Sequence, residues 1–217
     1  MKAVIISGGT IVDGFALGFL KKIKPSCIVA ADHGLEFCHR NHILPDCIVG
    51  DFDSIAPEII EEYRQRGDIP IYTFNPMKDS TDTDIALNKA LELGATELYF
   101  MGATGSRLDH VLSNIFNLYM LWQKRIPAWI VDVSNLITMP LEKQVTIRRE
   151  EQFGKYVSYF PLRGEVKGLT LEGFQYPLKD YTLVQGDGGL SVSNEIVEEE
   201  ARISWTEGIL ILVQSRD

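Results

Sequence analysis

The first 135 residues alternate between short apolar runs and longer segments with helical spacing, and this alternation limits the fold more than any other feature. A short continuous apolar run is typical of a buried strand in a parallel sheet. The predicted strands are Ala3–Ile6, Cys27–Ala31, Cys47–Val49, Ile69–Phe74, Glu97–Met101 and Ala128–Val133. The predicted helices are Phe15–Ile23, Glu36–Asn41, Pro57–Arg66, Thr81–Leu93 and Leu108–Lys124. Such alternation favours an α/β fold with a doubly wound, mostly parallel sheet.

The pattern changes after about Asn135, where the helical periods stop. Short strand-like runs separated by Gly, Pro, Asn and Asp follow: Gln144–Arg148, Tyr156–Phe160, Val166–Leu171, Tyr181–Val184, Ala201–Thr206 and Ile209–Gln214. Glu207-Gly208 is predicted to form a hairpin turn between the last two runs. The sequence therefore predicts an α/β domain over residues 1–135 and a small antiparallel β-domain over residues 140–217.

The charge balance excludes some classes of partner. The chain has 30 acidic residues against 21 lysines and arginines, which gives a formal net charge of −9. Non-specific binding to nucleic acid or to an anionic membrane needs basic patches. We therefore expect neither nucleic acid nor membrane as a partner.

The cysteines and the apolar runs favour a soluble, cytoplasmic protein. Cys27, Cys38 and Cys47 form no Cys-x-x-Cys pair, so we expect reduced thiols in the core. The apolar run after Met1 is too short for a signal peptide. Ile209–Val213 is far too short for a membrane span.

Two clusters of carboxylates follow predicted strands. Asp51 and Asp53 come directly after the third strand, Asp79 comes between the fourth strand and the next helix, and Asp82 and Asp84 lie in the first turn of that helix. Open α/β sheets bind their ligands at such strand ends. Clustered carboxylates repel one another, so a fold tolerates them best around a cation, and Mg²⁺ takes one or two carboxylates together with substrate oxygens. The sequence therefore predicts a magnesium-bound phosphate site.

Some of these acids also have a simpler interpretation as helix caps. One acid of the first cluster can cap the helix that opens near Pro57, and Ser54 can equally be that cap. In the second cluster Thr81 and Asp84 match a capping sequence, and we assign Asp84 to that role alone. Asp79 and Asp82 stay in the predicted site, beside Lys78, which either neutralises a phosphate or pairs with Asp79.

A third motif is Gly102-x-x-Gly105-x-Arg107-x-Asp109-His110, between the fifth strand and the longest helix. Glycines in this position let backbone N–H groups approach an anion, and the arginine fork suits phosphate. The motif is neither the Walker pattern nor Gly-x-Gly-x-x-Gly. Asp109 is a candidate site residue, while His110 is as easily a structural histidine of the helix.

The β-domain gives weaker signals. Gly188–Asn194 reads as a glycine turn leading into a polar edge strand, and Trp205 as a core residue or a flat binding surface. The whole set of predicted groups comprises a metal site, phosphate-binding backbone and a cationic side chain. These groups favour phosphoryl or pyrophosphoryl transfer driven by positioning and charge neutralisation rather than by a covalent intermediate.

The order and spacing of four motifs resemble the thiamine pyrophosphokinase family. The motifs are Gly50-Asp51-Phe52-Asp53-Ser54, Asp79-x-Thr81-Asp82, the Gly102 to His110 segment and Ser193-Asn194. This resemblance implies Mg²⁺-dependent transfer of pyrophosphate from ATP to the hydroxyl of thiamine, giving thiamine diphosphate and AMP. It also implies a Rossmann-like, nucleotide-binding catalytic domain, a β-sandwich domain that binds thiamine, and a homodimer with active sites between subunits.

The resemblance also implies roles for individual residues. Catalytic roles fall on Asp51, Asp53, Asp82 and Asp109, and the first three would hold Mg²⁺. Nucleotide or phosphate binding falls on Asp32, Gly34, Asp79, Thr81, Gly102, Gly105 and Arg107. Thiamine contacts fall on Ser193, Asn194 and Trp205. Asp53 or Asp82 would accept the hydroxyl proton, and the residues do not decide between them.

One departure and three alternatives stay open. The family has Ala-Asp-Gly-Gly where this chain has Ala31-Asp32-His33-Gly34, and a glycine would allow positive φ or close approach to a nucleotide. The nearest alternative function is a pyrophosphokinase for another small alcohol, such as a hydroxymethylpterin. A second is a non-catalytic nucleotide sensor. A third, a dehydrogenase, lacks Gly-x-Gly-x-x-Gly after the first strand.

Overall fold

The computed structural model describes residues 1–53, 55–73 and 81–217. Its helices are α1 (Asp13–Ile23), α2 (Gly34–Arg40), α3 (Pro57–Arg66), α4 (Asp82–Glu92), α5 (Leu108–Gln123) and α6 (Gly188–Ser191). Its strands are β1 (Lys2–Ile6), β2 (Cys27–Ala31), β3 (Cys47–Gly50), β4 (Ile71–Thr73), β5 (Glu97–Met101), β6 (Ala128–Val131), β7 (Asn135–Thr138), β8 (Gln144–Arg148), β9 (Tyr156–Pro161), β10 (Glu165–Glu172), β11 (Leu178–Val184), β12 (Asn194–Glu195), β13 (Glu200–Ser204) and β14 (Leu210–Ser215).

The chain divides into two compact units. Unit 1 contains Met1–Leu121 and Ile130–Val133, and unit 2 contains Trp122–Trp129 and Ser134–Asp217. The boundary between the α/β domain and the β-domain, expected between residues 135 and 140, stays a prediction.

Unit 1 is built on a parallel sheet with the strand order β4–β3–β2–β1–β5, and β6 lies beside β5. The pairs β1–β2, β1–β5, β2–β3 and β3–β4 are all parallel. The chain runs outward from β1 to β4 and then returns to the other side of β1 to form β5. The predicted doubly wound sheet is confirmed, and its strand order reverses between β1 and β5, where such sheets open a crevice.

The helix α4 begins as its sequence predicts. Thr81 Oγ1 accepts a hydrogen bond from the Asp84 backbone N–H (3.2 Å), and an Asp84 carboxylate oxygen accepts one from the Thr81 N–H (2.9 Å). This reciprocal pair satisfies two backbone donors that a helix start leaves without intrahelical partners. The assignment of Asp84 as a capping residue is confirmed.

Asp13 ties α1 to α2. Its carboxylate accepts two hydrogen bonds from the Arg40 guanidinium (2.7 and 2.8 Å) and one from Asn41 (2.9 Å). Because these donors favour the ionised form, they lower the pKa of Asp13 to about 2.

Unit 2 consists of two sheets that share a core. One has the strand order β12–β9–β14–β7 and the other β11–β10–β13–β8, and the neighbouring strands in both orders are antiparallel. Val157, Tyr159 and Leu212 from the first sheet join Leu169 and Ile203 from the second in one buried cluster. The predicted antiparallel β-sandwich is confirmed.

The prediction of a hairpin at Glu207-Gly208 is wrong. The strand β13 pairs with β8 and β10, whereas β14 pairs with β7 and β9, so the turn carries the chain from one sheet to the other. Glu207 instead forms a bridge with Lys167 of β10. Strand spacing alone does not reveal this, because both strands alternate buried residues with less buried ones, as the two strands of a hairpin would.

The remaining elements lie close to their predicted positions, with some exceptions. The strand β7 and the helix α6 are not among the predicted elements. The strand β4 is shorter than the predicted Ile69–Phe74, whose last residue lies outside the described residues. All three cysteines are buried and outside disulfides, and burial raises the pKa of Cys38 and of Cys47 to about 12. In the described part of the chain, no helix is both long and apolar enough to cross a membrane.

Candidate active site

A cleft of about 540 Å³ opens at the point where the strand order of unit 1 reverses. Its two walls are Ser7–Thr10, which follows β1, and Gly102–Arg107, which follows β5. The other lining residues come from the ends of β2, α4 and α5: Asp32, His33, Thr83, His110, Val111 and Asn114. A crevice with this location is the usual ligand site of an open α/β sheet.

Backbone contact between the two walls requires glycine. The Gly9 N–H donates to the Gly102 carbonyl (2.7 Å), and the Thr10 N–H donates to the Thr104 carbonyl (2.8 Å). A Cβ at Gly9 would overlap the carbonyl oxygens of both Gly102 and Thr104. Only glycine at position 9 lets the two loops lie this close.

Side chains fix the wall that follows β5. Asn114, a 5% exposed residue on α5, donates from its amide to the Ala103 carbonyl (2.8 Å). Thr104 donates from its hydroxyl to Asp132 (2.7 Å). The wall therefore presents its backbone to the cleft from a fixed position.

In the Asp32-His33-Gly34 segment, the backbone at His33 is unstrained. His33 has helical backbone angles (φ −53°, ψ −16°), whereas the positive φ of 47° falls on Asp32. His33 Nδ1 lies 3.0 Å from an Asp32 carboxylate oxygen. A Cβ at Gly34 would overlap the Ile6 carbonyl oxygen, so glycine is needed at position 34 and not at position 33.

Arg107 and Asp109 pair with each other at the rim of the cleft. The guanidinium of Arg107 donates to both carboxylate oxygens of Asp109 (2.5 and 3.3 Å), and both side chains are exposed. This pairing lowers the pKa of Asp109 and raises that of Arg107. Asp109 is therefore held ionised, and Arg107 lines the cleft with its positive charge partly neutralised.

The acids predicted to hold Mg²⁺ lie at the carboxyl edge of the same sheet. Asp51 and Asp53 follow β3 and flank the buried Phe52, and the Asp53 N–H lies 3.3 Å from an Asp51 carboxylate oxygen. Asp82 is in the first turn of α4. Asp79 lies outside the described residues.

The structure offers oxygen ligands for Mg²⁺ without a preformed cage. In the ranges that the structure describes, no three acidic, histidine or cysteine side chains come together as a metal site. Mg²⁺ needs only one or two carboxylates when substrate phosphates supply other oxygens. The half-buried Asp51 and Asp82 and the exposed Asp53 fit that requirement.

The predicted thiamine contacts in unit 2 have different surroundings. Ser193 is exposed and has a φ of 57°. Asn194 is 1% exposed, and its amide bonds to Tyr159 and to the backbone of Tyr176 and Glu195. Trp205 is 4% exposed within the core of unit 2. Asn194 thus fixes the loop that presents Ser193, and stacking of thiamine on Trp205 would require that ring to be uncovered.

Two family models match the chain. "Thiamin pyrophosphokinase, catalytic domain" matches residues 21–130, and "Thiamin pyrophosphokinase, vitamin B1 binding domain" matches residues 142–210. The chain belongs to the thiamine pyrophosphokinase family. It is therefore an enzyme, and the predicted family is confirmed.

Individual thiamine pyrophosphokinases are similar over most of the chain. The Bacillus subtilis (strain 168) protein is 35% identical over 176 residues, which cover 81% of this chain and 80% of that protein. Thiamine pyrophosphokinase 1 of Oryza sativa subsp. japonica is 29% identical, over 82% of this chain and 69% of that protein. The crystal structure of the Bacillus subtilis enzyme covers all of both chains, with a TM-score of 0.87 and 30% identity.

Sequence reasoning missed several residues that line the cleft. Of the predicted nucleotide-binding residues, Asp32, Gly102, Gly105 and Arg107 line it. The missed residues are Ser7, Gly8, Gly9, Thr10, Thr83, Ala103, Thr104, Ser106, Val111 and Asn114. The glycine pair Gly8-Gly9 directly follows the first predicted strand, and glycines at such a strand end are a usable signal of a ligand site.

Proposed function

We propose that this member of the thiamine pyrophosphokinase family binds ATP in the cleft between the loops after β1 and β5, and transfers its pyrophosphate to the hydroxyl of thiamine in a Mg²⁺-dependent reaction. The products are thiamine diphosphate and AMP. The observation that carries the proposal is the glycine-lined cleft at the reversal of strand order, in a chain that matches both domains of the family. Backbone N–H groups and Arg107 suit an anionic triphosphate.

Asp51, Asp53 and Asp82 would hold Mg²⁺, with Asp79 and Thr81 beside the phosphates. When bound, the ion supplies charge neutralisation for the phosphate oxygens. Asp32, Gly34, Gly102 and Gly105 shape the nucleotide site, either by lining the cleft or by allowing close backbone approach. Catalysis then depends on positioning and electrostatics rather than on a covalent intermediate.

The proton of the thiamine hydroxyl goes to Asp53 or Asp82 as the hydroxyl oxygen attacks the β-phosphorus and AMP leaves. Asp109 is the poorer base, because its pairing with Arg107 lowers its pKa. We assign Asp109 the role of holding the Arg107 fork at the rim of the cleft, 2.5 Å from its nearer nitrogen.

A cytoplasmic homodimer with active sites at the subunit interface completes the proposal. Leu108, Leu112 and Phe116, which we call the α5 stripe, repeat every fourth residue and are 72%, 55% and 59% exposed. Contiguous exposed apolar groups mark interaction surfaces.

Ser193, which is exposed, would contact thiamine. The roles of Asn194 and Trp205 towards thiamine stay predictions.

The test supplies ATP, Mg²⁺ and thiamine and measures AMP and thiamine diphosphate. We expect both products, and we expect their loss when EDTA removes the metal. AMP formed with a hydroxymethylpterin but not with thiamine would favour the alternative alcohol. ATP binding without AMP from either alcohol would favour the nucleotide sensor.

A further inference from the structure

Asn117 on α5 holds the first turn of α4 through Asp84. The amide nitrogen of Asn117 donates to one carboxylate oxygen of Asp84 at 2.7 Å. The other carboxylate oxygen accepts the Thr81 N–H of the capping box. Both oxygens of Asp84 are thus engaged, one within α4 and one between helices.

A second hydrogen bond holds the same turn from the sheet. Ser7, which is 4% exposed and follows β1, places its hydroxyl 3.0 Å from that of Thr83. Thr83 and Ser7 both line the cleft. The first turn of α4, which carries Asp82, is therefore fixed between β1 and α5.

The same face of α5 also holds the wall of the cleft that follows β5. Asn114, three residues before Asn117, donates to the Ala103 carbonyl at 2.8 Å. Residues three apart lie on one face of a helix. One face of α5 therefore sets the distance between the loop after β5 and the first turn of α4.

We propose that Asn117 is a positioning residue, which through its hydrogen bond to Asp84 sets the place of Thr83, which lines the cleft, and of its neighbour Asp82. This inference rests on the proposed function, because it matters only if the first turn of α4 serves the reaction. Asn117 is not among the described residues that line the cleft. We therefore assign its effect on the cleft to its hydrogen bond with Asp84. Partners that orient ligating or reacting carboxylates are typically worth about 10- to 100-fold in metal affinity or activity.

The first test compares Asn117→Ala with Asn88→Ala, the same change at an exposed position of α4. We expect Asn117→Ala to lower kcat about tenfold with little change in the KM for thiamine. We also expect the Mg²⁺ concentration that half-saturates binding of a non-hydrolysable ATP analogue to rise. Asn88→Ala should match the wild type in each. Unchanged kcat and unchanged Mg²⁺ dependence in Asn117→Ala would overturn the proposal.

Exchanging the residue types at positions 84 and 117 distinguishes a positioning role of Asn117 from a contribution to overall stability. Asn117→Asp places two carboxylates against each other. Of the single variants, it should therefore raise the half-saturating Mg²⁺ concentration most. In Asp84→Asn combined with Asn117→Asp, the new amide at position 84 can accept from the Thr81 N–H and donate to the new carboxylate at position 117. We expect the double variant to recover about tenfold over Asn117→Asp, whereas no recovery at equal Tm would overturn the proposal.

The two proposals fail in distinguishable ways. If the wild type forms no thiamine diphosphate, the proposed reaction fails, and binding of the ATP analogue still reports on Asn117 because it needs no thiamine. If the wild type turns over normally and Asn117→Ala retains the wild-type Mg²⁺ dependence, only the role of Asn117 fails.

Discussion

Asp53 is the single residue on which the proposed chemistry depends most. It is exposed, directly follows the buried Phe52 and belongs to the pair of carboxylates after β3. An acid in this position can contact Mg²⁺ or accept a proton, and an amide replaces its charge without changing its shape.

We expect Asp53→Asn to lower kcat by at least about 100-fold, because proton transfer and charge neutralisation each contribute on that order. The matched control is Asp68→Asn, an exposed aspartate whose partner is Arg66. Both variants should unfold within about 0.5 kcal/mol of the wild type, as surface changes generally do. Steady-state kinetics and denaturant unfolding measure the two effects, and near-normal turnover of Asp53→Asn would remove its assigned role.

Residues with local roles could be predicted from the sequence, and residues with distant partners could not. Thr81 and Asp84 are three residues apart, and this spacing predicts their capping box. The Asn117–Asp84 hydrogen bond joins residues 33 apart, and the Thr104–Asp132 bond joins residues 28 apart. Nothing in one sequence shows that such residues meet, because the meeting depends on how whole helices and strands pack.

At the scale of elements, the loops after β1 and β5 form the cleft only because Gly9 lets them touch. We expect Gly9→Ala to separate the loops and abolish binding of a fluorescent ATP analogue, since the added methyl would overlap two carbonyl oxygens. The matched control is Gly18→Ala within α1, where a Cβ meets nothing within 4 Å.

Gly18→Ala should retain nucleotide affinity and raise the free energy of unfolding by up to about 1 kcal/mol, because alanine favours a helix interior. Isothermal titration and thermal unfolding of the two variants provide the comparison. A Gly9→Ala protein that binds the analogue as tightly as Gly18→Ala would show that the contact between the loops is dispensable.

The order of elements in unit 1 follows from the sequence better than that in unit 2. Alternating strands and helices leave few choices, because parallel strands need crossover connections and these are right-handed. In unit 2 each strand has several antiparallel neighbours to choose from. The turn at Glu207-Gly208 illustrates the difficulty, since its flanking strands β13 and β14 are adjacent in sequence but join different sheets.

At the scale of the whole molecule, the α5 stripe predicts the oligomeric state. We expect the wild type to sediment as a dimer and Leu112→Asp to shift it towards the monomer, because a charge in an apolar interface is costly to desolvate. The control is Leu44→Asp, since Leu44 and Leu112 are each 55% exposed. A Leu112→Asp protein that sediments like Leu44→Asp would place the dimer contact elsewhere.

The reaction is a property of the whole enzyme, and the identity of its phosphorus-containing products tests it most directly. Phosphorus NMR of the wild type with ATP, Mg²⁺ and thiamine distinguishes transfer of the pyrophosphoryl group from transfer of the terminal phosphoryl group alone. We predict that AMP and thiamine diphosphate form in equal amounts as ATP disappears. Formation of ADP with thiamine monophosphate, or no loss of ATP, would contradict the proposed reaction.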